Sequence, residues 1–296
     1  MQSLRETLSQ TQTLGVALGH FNISDLTILQ GVSAAARELD VPVLVGVSEG
    51  ERDFLGTRQI AALVQSLREE HNSRIFLNAD HTHSLSKAEV AVRAGFDSVV
   101  FDLSNLPFDE NTRQTKQAVA ALKSINPSIV VEGEIGDIGS GSEIHDAAPK
   151  LGLTTPEEAR HFVDFTGVDV LAPAVGNMHG MLSTMVTGSV RKHLNIERIQ
   201  QIKAATGAFL TLHGASGTDD TDLRQAIAAG INIIHINTEI RLAWRRGLDD
   251  ALSRHPKEVV PYKILPAVVE SVKAVAQARL ELFNRLEPQA RKNLAS

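Results

Sequence analysis

Cysteine is absent from the 296 residues, which excludes disulfides and thiolate ligands and leaves His, Asp and Glu as the side chains able to hold a metal ion. No run of about eighteen apolar residues occurs, so no membrane span is expected. The net charge is −6 and no Lys/Arg block is present, which argues against nucleic acid or an anionic membrane as a partner. Residues 1–15 carry no long apolar core and read as a short amphipathic helix rather than a signal peptide, making the cytoplasm the expected location. What is present is ordinary for a globular chain: 43% apolar and 22% charged residues, enough to bury a core. The length suits one domain over 1–296, because barrel folds exceed the usual ~150 residues per domain.

Short apolar or β-branched runs alternate with helix-period segments from end to end, the pattern of βα units and a parallel sheet. Strands are expected at 15–21, 42–47, 74–79, 98–101, 129–134, 168–174, 209–213 and 231–237. Helices are expected at 24–39, 57–70, 86–94, 111–124, 156–166, 195–206 and 219–229, several opened by Ser, Asn, Thr or Asp and several closed by Gly. Eight strands match a closed (β/α)8 barrel. The alternative, an open doubly wound sheet, fits less well because the first turn reads Gly19-His20-Phe21-Asn22 and has no glycine fingerprint. The link 136–156 has no clear periodicity and reads as a functional loop or lid. Residues 265–286 form an amphipathic helical stripe for packing on the barrel or on a second subunit.

Barrel enzymes work from the C-terminal ends of their strands. In order, those ends carry Asn22, Ser48-Glu49-Gly50, Asp80-His81-Thr82-His83, Asp102, Glu132 with Glu134, Gly176 to Gly180, His213 to Gly217, and His235-Ile236-Asn237-Thr238. One histidine at a strand end is usually a hydrogen-bonded structural residue. His81, His179 and His213 come from three separate strands, and three imidazoles with an open fourth position are the arrangement of a catalytic zinc. His81-Thr82-His83 also resembles the His-x-His of metal-dependent amidohydrolases, although there it follows the first strand. Gly180, Gly214, Ala215 and Ser216, with Asn237 and Thr238 at the next strand end, offer backbone N–H groups and a hydroxyl to a phosphate. Plain βα turns use the same Gly/Ser runs. All ten lysines fall in expected helices or loops, so a Schiff base has no evident nucleophile.

The segments His20-Phe21-Asn22, Ser48-Glu49-Gly50, Asp80-His81, Val131 to Gly136, Ala174 to Gly180, Leu212 to Gly217 and Ile236 to Glu239 resemble the signatures of the class II fructose-bisphosphate and tagatose-bisphosphate aldolases, in order from about Gly15 to Phe283. The resemblance implies Zn2+ on His81, His179 and His213, with Glu134 as an additional ligand, and a monovalent cation (Na+ or K+) as a further cofactor. It also implies a phosphorylated substrate, dihydroxyacetone phosphate or a ketose bisphosphate, and a homodimer or homotetramer. Zinc would act as a Lewis acid on the ketone. Asn22 and Ser48 fall at positions of the family's substrate site. Asp80 matches its acid/base for the aldehyde-derived oxygen, and Glu143 in the long link is the candidate that removes the carbon-bound proton.

The chain departs from the family in three places. Thr82 and His83 follow Asp-His where Gly is frequent. The long link reads Gly139-Ser140-Gly141-Ser142-Glu143. His235 stands where the family places an Asn on the substrate carbonyl. Strand alternation turns His235 to the same side as Asn237, either as a substrate contact or as barrel filling bonded to a carboxylate such as Glu134. A metal-dependent hydrolase and a catalytically weak sugar-phosphate binder are the alternatives.

Overall fold

The computed structural model describes residues 2–136, 138–139, 144–145, 152–186 and 190–287. Its strands are β1 (Leu18–Asn22), β2 (Val43–Val47), β3 (Ile75–Thr82), β4 (Ser98–Phe101), β5 (Val130–Ile135), β6 (Ile144–His145), β7 (Val170–Pro173), β8 (Met181–Leu182), β9 (Phe209–Leu212) and β10 (Ile231–Ile236). Eight of them close a parallel barrel in the order β1-β10-β9-β7-β5-β4-β3-β2, as the alternation of elements predicts; β6 and β8 pair as a separate two-stranded ladder. That ladder brings part of the long 136–156 link beside the loop that follows β7. The rest of the link, including Glu143, lies outside the described residues.

Helices, among them α4 (Thr57–His71), α6 (Phe108–Ile125), α8 (Ser183–Val186) and α10 (Asp220–Ala229), alternate with the strands, and several follow from local signals. Helix α1 (Leu4–Leu14) opens with a capping box from Ser3 to Glu6 and stops at Gly15 in the left-handed conformation. Asp25, Ser84 and Asn195 cap α2 (Leu26–Glu38), α5 (Leu85–Arg93) and α9 (Ile196–Thr206) with their side chains. Thr155 opens α7 (Pro156–Thr166) with another capping box, and the helix ends at Gly167. Three helices escaped the sequence pattern, one of them the 4-residue α8. Of the other two, Glu49–Leu55 (α3) is only 7 residues long, and Thr238–Arg254 (α11) carries Arg, Asp and Glu around most of its circumference, so neither shows an apolar stripe of useful length. The last helix, α12 (Pro261–Phe283), begins four residues before the expected 265 and packs on α2 and α11.

Period-two alternation then divides the barrel interior into layers. At the N-terminal end, Leu18, Leu44, Phe76, Val130, Val170 and Ile233 form an apolar plug with Leu4 and Leu8 of α1. Burying a leucine such as Leu8 contributes about 1.5–3 kcal/mol. Two residues further along the strands the interior turns polar, with His20, Asn78, Glu132, Thr211 and His235 all buried. Two residues further again come Asn22, Asp80, Glu134 and His213. The alternate residues, among them Phe21, Val45, Leu77, Val131, Leu212, Ile234 and Ile236, face the helices in the main core. A barrel with a dry floor and a polar upper half is therefore built directly from the strand sequences.

Candidate active site

Asn22, Asp80, His81, His179, Gly180, His213, Gly214, Ser216, His235, Asn237 and Thr238 line one cleft at the C-terminal mouth. Of the residues picked from the sequence, Ser48, Ala215 and Glu134 stand apart from that lining, and Glu143 lies outside the described residues. Ser48 caps α3 through a capping box with Glu51, and Ala215 is buried.

Asp80 and His81 are consecutive, and a regular strand would point them to opposite faces. The ladder between β3 and β4 shifts register between Ala79 and Thr82, and His81 takes a φ of +36°. This irregularity delivers both side chains to the mouth.

His81 Nδ1 lies 2.8 Å from Asp102 Oδ2, and His213 Nε2 lies 2.6 Å from Glu132 Oε1. A carboxylate only accepts, so each of these ring nitrogens carries a proton and donates it. The other nitrogens, His81 Nε2 and His213 Nδ1, then face each other 3.2 Å apart and offer lone pairs to an ion once both rings are neutral. Two nitrogens bound tetrahedrally at ~2.0–2.1 Å from one ion are roughly 3.3 Å apart. His179 packs edge-on to both rings, and the four ligand atoms of His81, Glu134, His179 and His213 lie within 4.8 Å of one another. Glu134 Oε2 is buried and has no hydrogen-bond partner. Three imidazoles, an orphaned carboxylate oxygen and two carboxylates fixing the far nitrogens suit a divalent cation of the zinc type.

The electrostatics agree. Burial works against a charge on His81, but Asp80, Asp102 and Glu134 outweigh it and lift the imidazole to about 10. Burial pushes Glu134 up to about 7. His179 is driven well below its usual value by burial and by the neighbouring His81 and His213. Burial would raise Asp80, yet His81, His20 and His213 hold it well below the usual carboxylate range. A site that holds carboxylates and histidines this far from their ordinary behaviour is set for a bound cation.

Asp80 is also held sterically. Asn22 Nδ2 donates to Asp80 Oδ2 at 2.8 Å and to Glu51 Oε2 at 3.1 Å. Both amide hydrogens of Asn22 are thereby used, leaving its Oδ1 for other partners. Arg52, buried, donates to Val47 O at 2.5 Å and Thr82 Oγ1 at 2.9 Å, bracing the strand ends under the site.

His235 faces the interior as strand alternation predicts. It stacks on His213 with ring centroids 4.0 Å apart and on His20 at 3.5 Å, and its Nδ1 is 3.6 Å from Asp80 Oδ1. The neighbouring carboxylate is thus Asp80 rather than the expected Glu134. Burial keeps both rings neutral, pushing His20 down to about 4 and His235 well below its usual value. His235 Nε2 has no partner. On the sequence alone His20 is assigned no role of its own, although the rule that places His235 beneath Asn237 also places His20 beneath Asn22. Its space is made by Gly46, where a Cβ would come within 2.1 Å of the His20 ring.

The anion cradle is narrower than the sequence implies. The Ala215 N–H donates to His235 O, and the Gly217 N–H donates to Glu239 Oε1. Gly214, at φ +59°, brings the loop after β9 against the loop after β7; a Cβ there would lie 2.2 Å from Met178 O. Asn177 ties the same loops, donating from Nδ2 to His213 O at 3.0 Å. Lys192, one of the loop lysines set aside on the sequence, lies buried beneath both loops, where burial pushes it down to about 7.

Comparison with known proteins places this geometry. The family model "Fructose-bisphosphate aldolase class-II" matches residues 2–287. The chain is 33% identical to a fructose-bisphosphate aldolase of Thermus caldophilus, over 94% of this chain and 96% of that one. It is 32% identical to a fructose-bisphosphate aldolase of Staphylococcus aureus, over 95% and 96%. The crystal structure of the YdjI aldolase from Escherichia coli K12 superposes with a TM-score of 0.81 at 28% identity, covering 95% of this chain and 96% of that one. The chain belongs to the class II fructose-bisphosphate aldolase family and is a lyase built on a (β/α)8 barrel.

Proposed function

We propose that the chain reversibly cleaves fructose 1,6-bisphosphate to dihydroxyacetone phosphate and glyceraldehyde 3-phosphate, with one Zn2+ held by His81, His179 and His213 and approached by Glu134. The observation that carries this reading is the pair of facing ring nitrogens 3.2 Å apart, each backed by its own carboxylate. When bound, zinc supplies Lewis-acid polarisation of the substrate's ketone and hydroxyl oxygens. The protein's part is positional and protolytic. Asp80, anchored by Asn22, exchanges the proton of the oxygen that becomes the aldehyde. His235, neutral and with Nε2 unpartnered, donates to the substrate carbonyl in place of the family Asn. Gly180, the backbone of Gly214 and Ser216, Thr238 and Asn237 line the phosphate end. Glu143, outside the described residues, is the proposed base for the carbon-bound proton.

A tagatose bisphosphate or another ketose phosphate is the second substrate reading, and the sugar-phosphate binder and the hydrolase have no observation in their favour. The same reading carries a glycolytic, cytoplasmic role and a homodimer or homotetramer. No helix among the described residues is long and apolar enough to cross a membrane. The large exposed side chains Phe54, Val259 and Tyr262 are where contact with a second copy would be sought. Steady-state assay against fructose 1,6-bisphosphate, tagatose 1,6-bisphosphate and free fructose tests the proposal. Fructose 1,6-bisphosphate is expected to give the highest kcat/KM and free fructose the lowest. No turnover of any ketose phosphate, or equal turnover of free fructose, refutes it.

A further inference from the structure

Lys192 is fixed to the loop that follows β9. Its N–H donates to Gly217 O at 3.0 Å, its carbonyl accepts from the Asp219 N–H at 3.2 Å, and it forms a parallel bridge with Thr218. From there the buried side chain reaches under both histidine loops. Its Nζ donates to Met178 O at 2.7 Å, Gly180 O at 2.5 Å and Gly214 O at 2.8 Å. Met178 and Gly180 flank His179, and Gly214 follows His213.

An ammonium has three N–H groups and no acceptor, so three carbonyls consume it fully. A neutral amine has two hydrogens and would turn its lone pair toward the third carbonyl. The cage therefore calls for the charged form, although burial opposes it; Glu239 favours the charge from farther away. Converging backbone carbonyls without a carboxylate in contact are the surroundings in which a monovalent cation sheds its water. Without a cation there, three carbonyl dipoles would point into one buried space.

We propose that Lys192 serves as a built-in monovalent cation: its ammonium fills the carbonyl cage between the two histidine loops, holds them together and places a positive charge behind the anion cradle, so that the enzyme needs no bound Na+ or K+. The part of this concerning the cradle rests on the phosphate reading above. Lys192 is a positioning residue, acting through the backbone of its neighbours.

The test uses zinc-loaded wild type, Lys192→Ala and Lys192→Met, each with its zinc content measured. Tm and the Kd of inorganic phosphate are read in buffers whose only monovalent cation is choline, Na+, K+, NH4+ or methylammonium. Wild type is expected to be indifferent to the cation. Lys192→Ala is expected to lose Tm and about tenfold in phosphate affinity in choline, and to recover most of both in NH4+, K+ or methylammonium. Lys192→Met, which keeps most of the stem and loses the charge, is expected to show the loss without the recovery. A wild type that itself requires Na+ or K+ overturns the proposal, and it can be measured even if the variants fail to fold. A Lys192→Ala protein with wild-type Tm and phosphate affinity in choline overturns it too, as does a loss that no small cation reverses. If phosphate does not bind wild type, the cradle reading fails by itself, and the Tm response still decides whether Lys192 is the cation of the cage.

Discussion

Replacing Glu132 by Gln removes one charge while keeping the shape, and the structure indicates where the cost appears. Glu132 Oε1 takes the His213 Nε2–H at 2.6 Å, and Oε2 takes the Thr211 hydroxyl at 2.9 Å. A glutamine can turn its oxygen to His213 and its NH2 to Thr211, because the threonine hydroxyl can reverse from donor to acceptor. No buried group loses its partner, so Tm of the metal-free protein is expected to change little. The bond to His213 becomes neutral, falling from about 1.5–3 to about 0.5–1.5 kcal/mol. The imidazole then donates less charge through Nδ1, and a negative group near the ion is gone. Changes of this kind cost roughly 10–100-fold in metal affinity, about 1.4–2.7 kcal/mol. Competition with a chelator of known affinity, beside a thermal melt without metal, reads the two quantities separately. Zinc affinity within about twofold of wild type, on a folded variant, would refute the claim that Glu132 orients a metal-binding His213.

Three further predictions follow from the same site. His235→Ala is expected to retain zinc and fold but lose about 2–4 kcal/mol of transition-state stabilisation in kcat/KM, with His235→Asn largely restoring it; wild-type kinetics for the Ala variant would show that the ring only fills the barrel. Gly214→Ala forces a Cβ to 2.2 Å from Met178 O at a positive φ, so Tm is expected to fall by the equivalent of about 1–3 kcal/mol; an unchanged melt would contradict the close approach of the two loops. Zinc binding to the metal-free protein is expected to release protons, because carboxylates lift His81 to about 10 and a protonated ring has no lone pair to give. Below that value each pH unit gained should strengthen binding about tenfold per proton released; calorimetry at pH 7.5 showing the same enthalpy in buffers of different ionisation heat would rule this out.

The barrel was legible because strand length, alternation and caps agree with one another across its eight strands, and boundaries missed by a few residues leave the layers intact; the short β6 and β8 lie outside it. His81, His179 and His213 were legible for a similar reason, since each stands at a strand end or just beyond it, where position alone implies a shared mouth. Asp102 and Glu132 stood in the same row of strand-end residues, but which carboxylate serves which imidazole depends on barrel register. His20 was within reach of the alternation rule. Lys192 was not: it belongs to an aperiodic stretch, and only the folded loops bring its Nζ to carbonyls 12, 14 and 22 residues away. The spent N–H groups of Ala215 and Gly217 were equally hidden, because their acceptors come from β10 and α11.

Turnover of fructose 1,6-bisphosphate, measured while zinc is returned to chelator-treated enzyme, tests the central claim most directly. Activity is expected to vanish on chelation and to rise linearly to a break at one equivalent per chain, and His81→Ala, His179→Ala and His213→Ala are expected to recover little of it. Full activity in metal-free enzyme, or undiminished recovery in those three variants, would contradict a zinc centre built from these histidines.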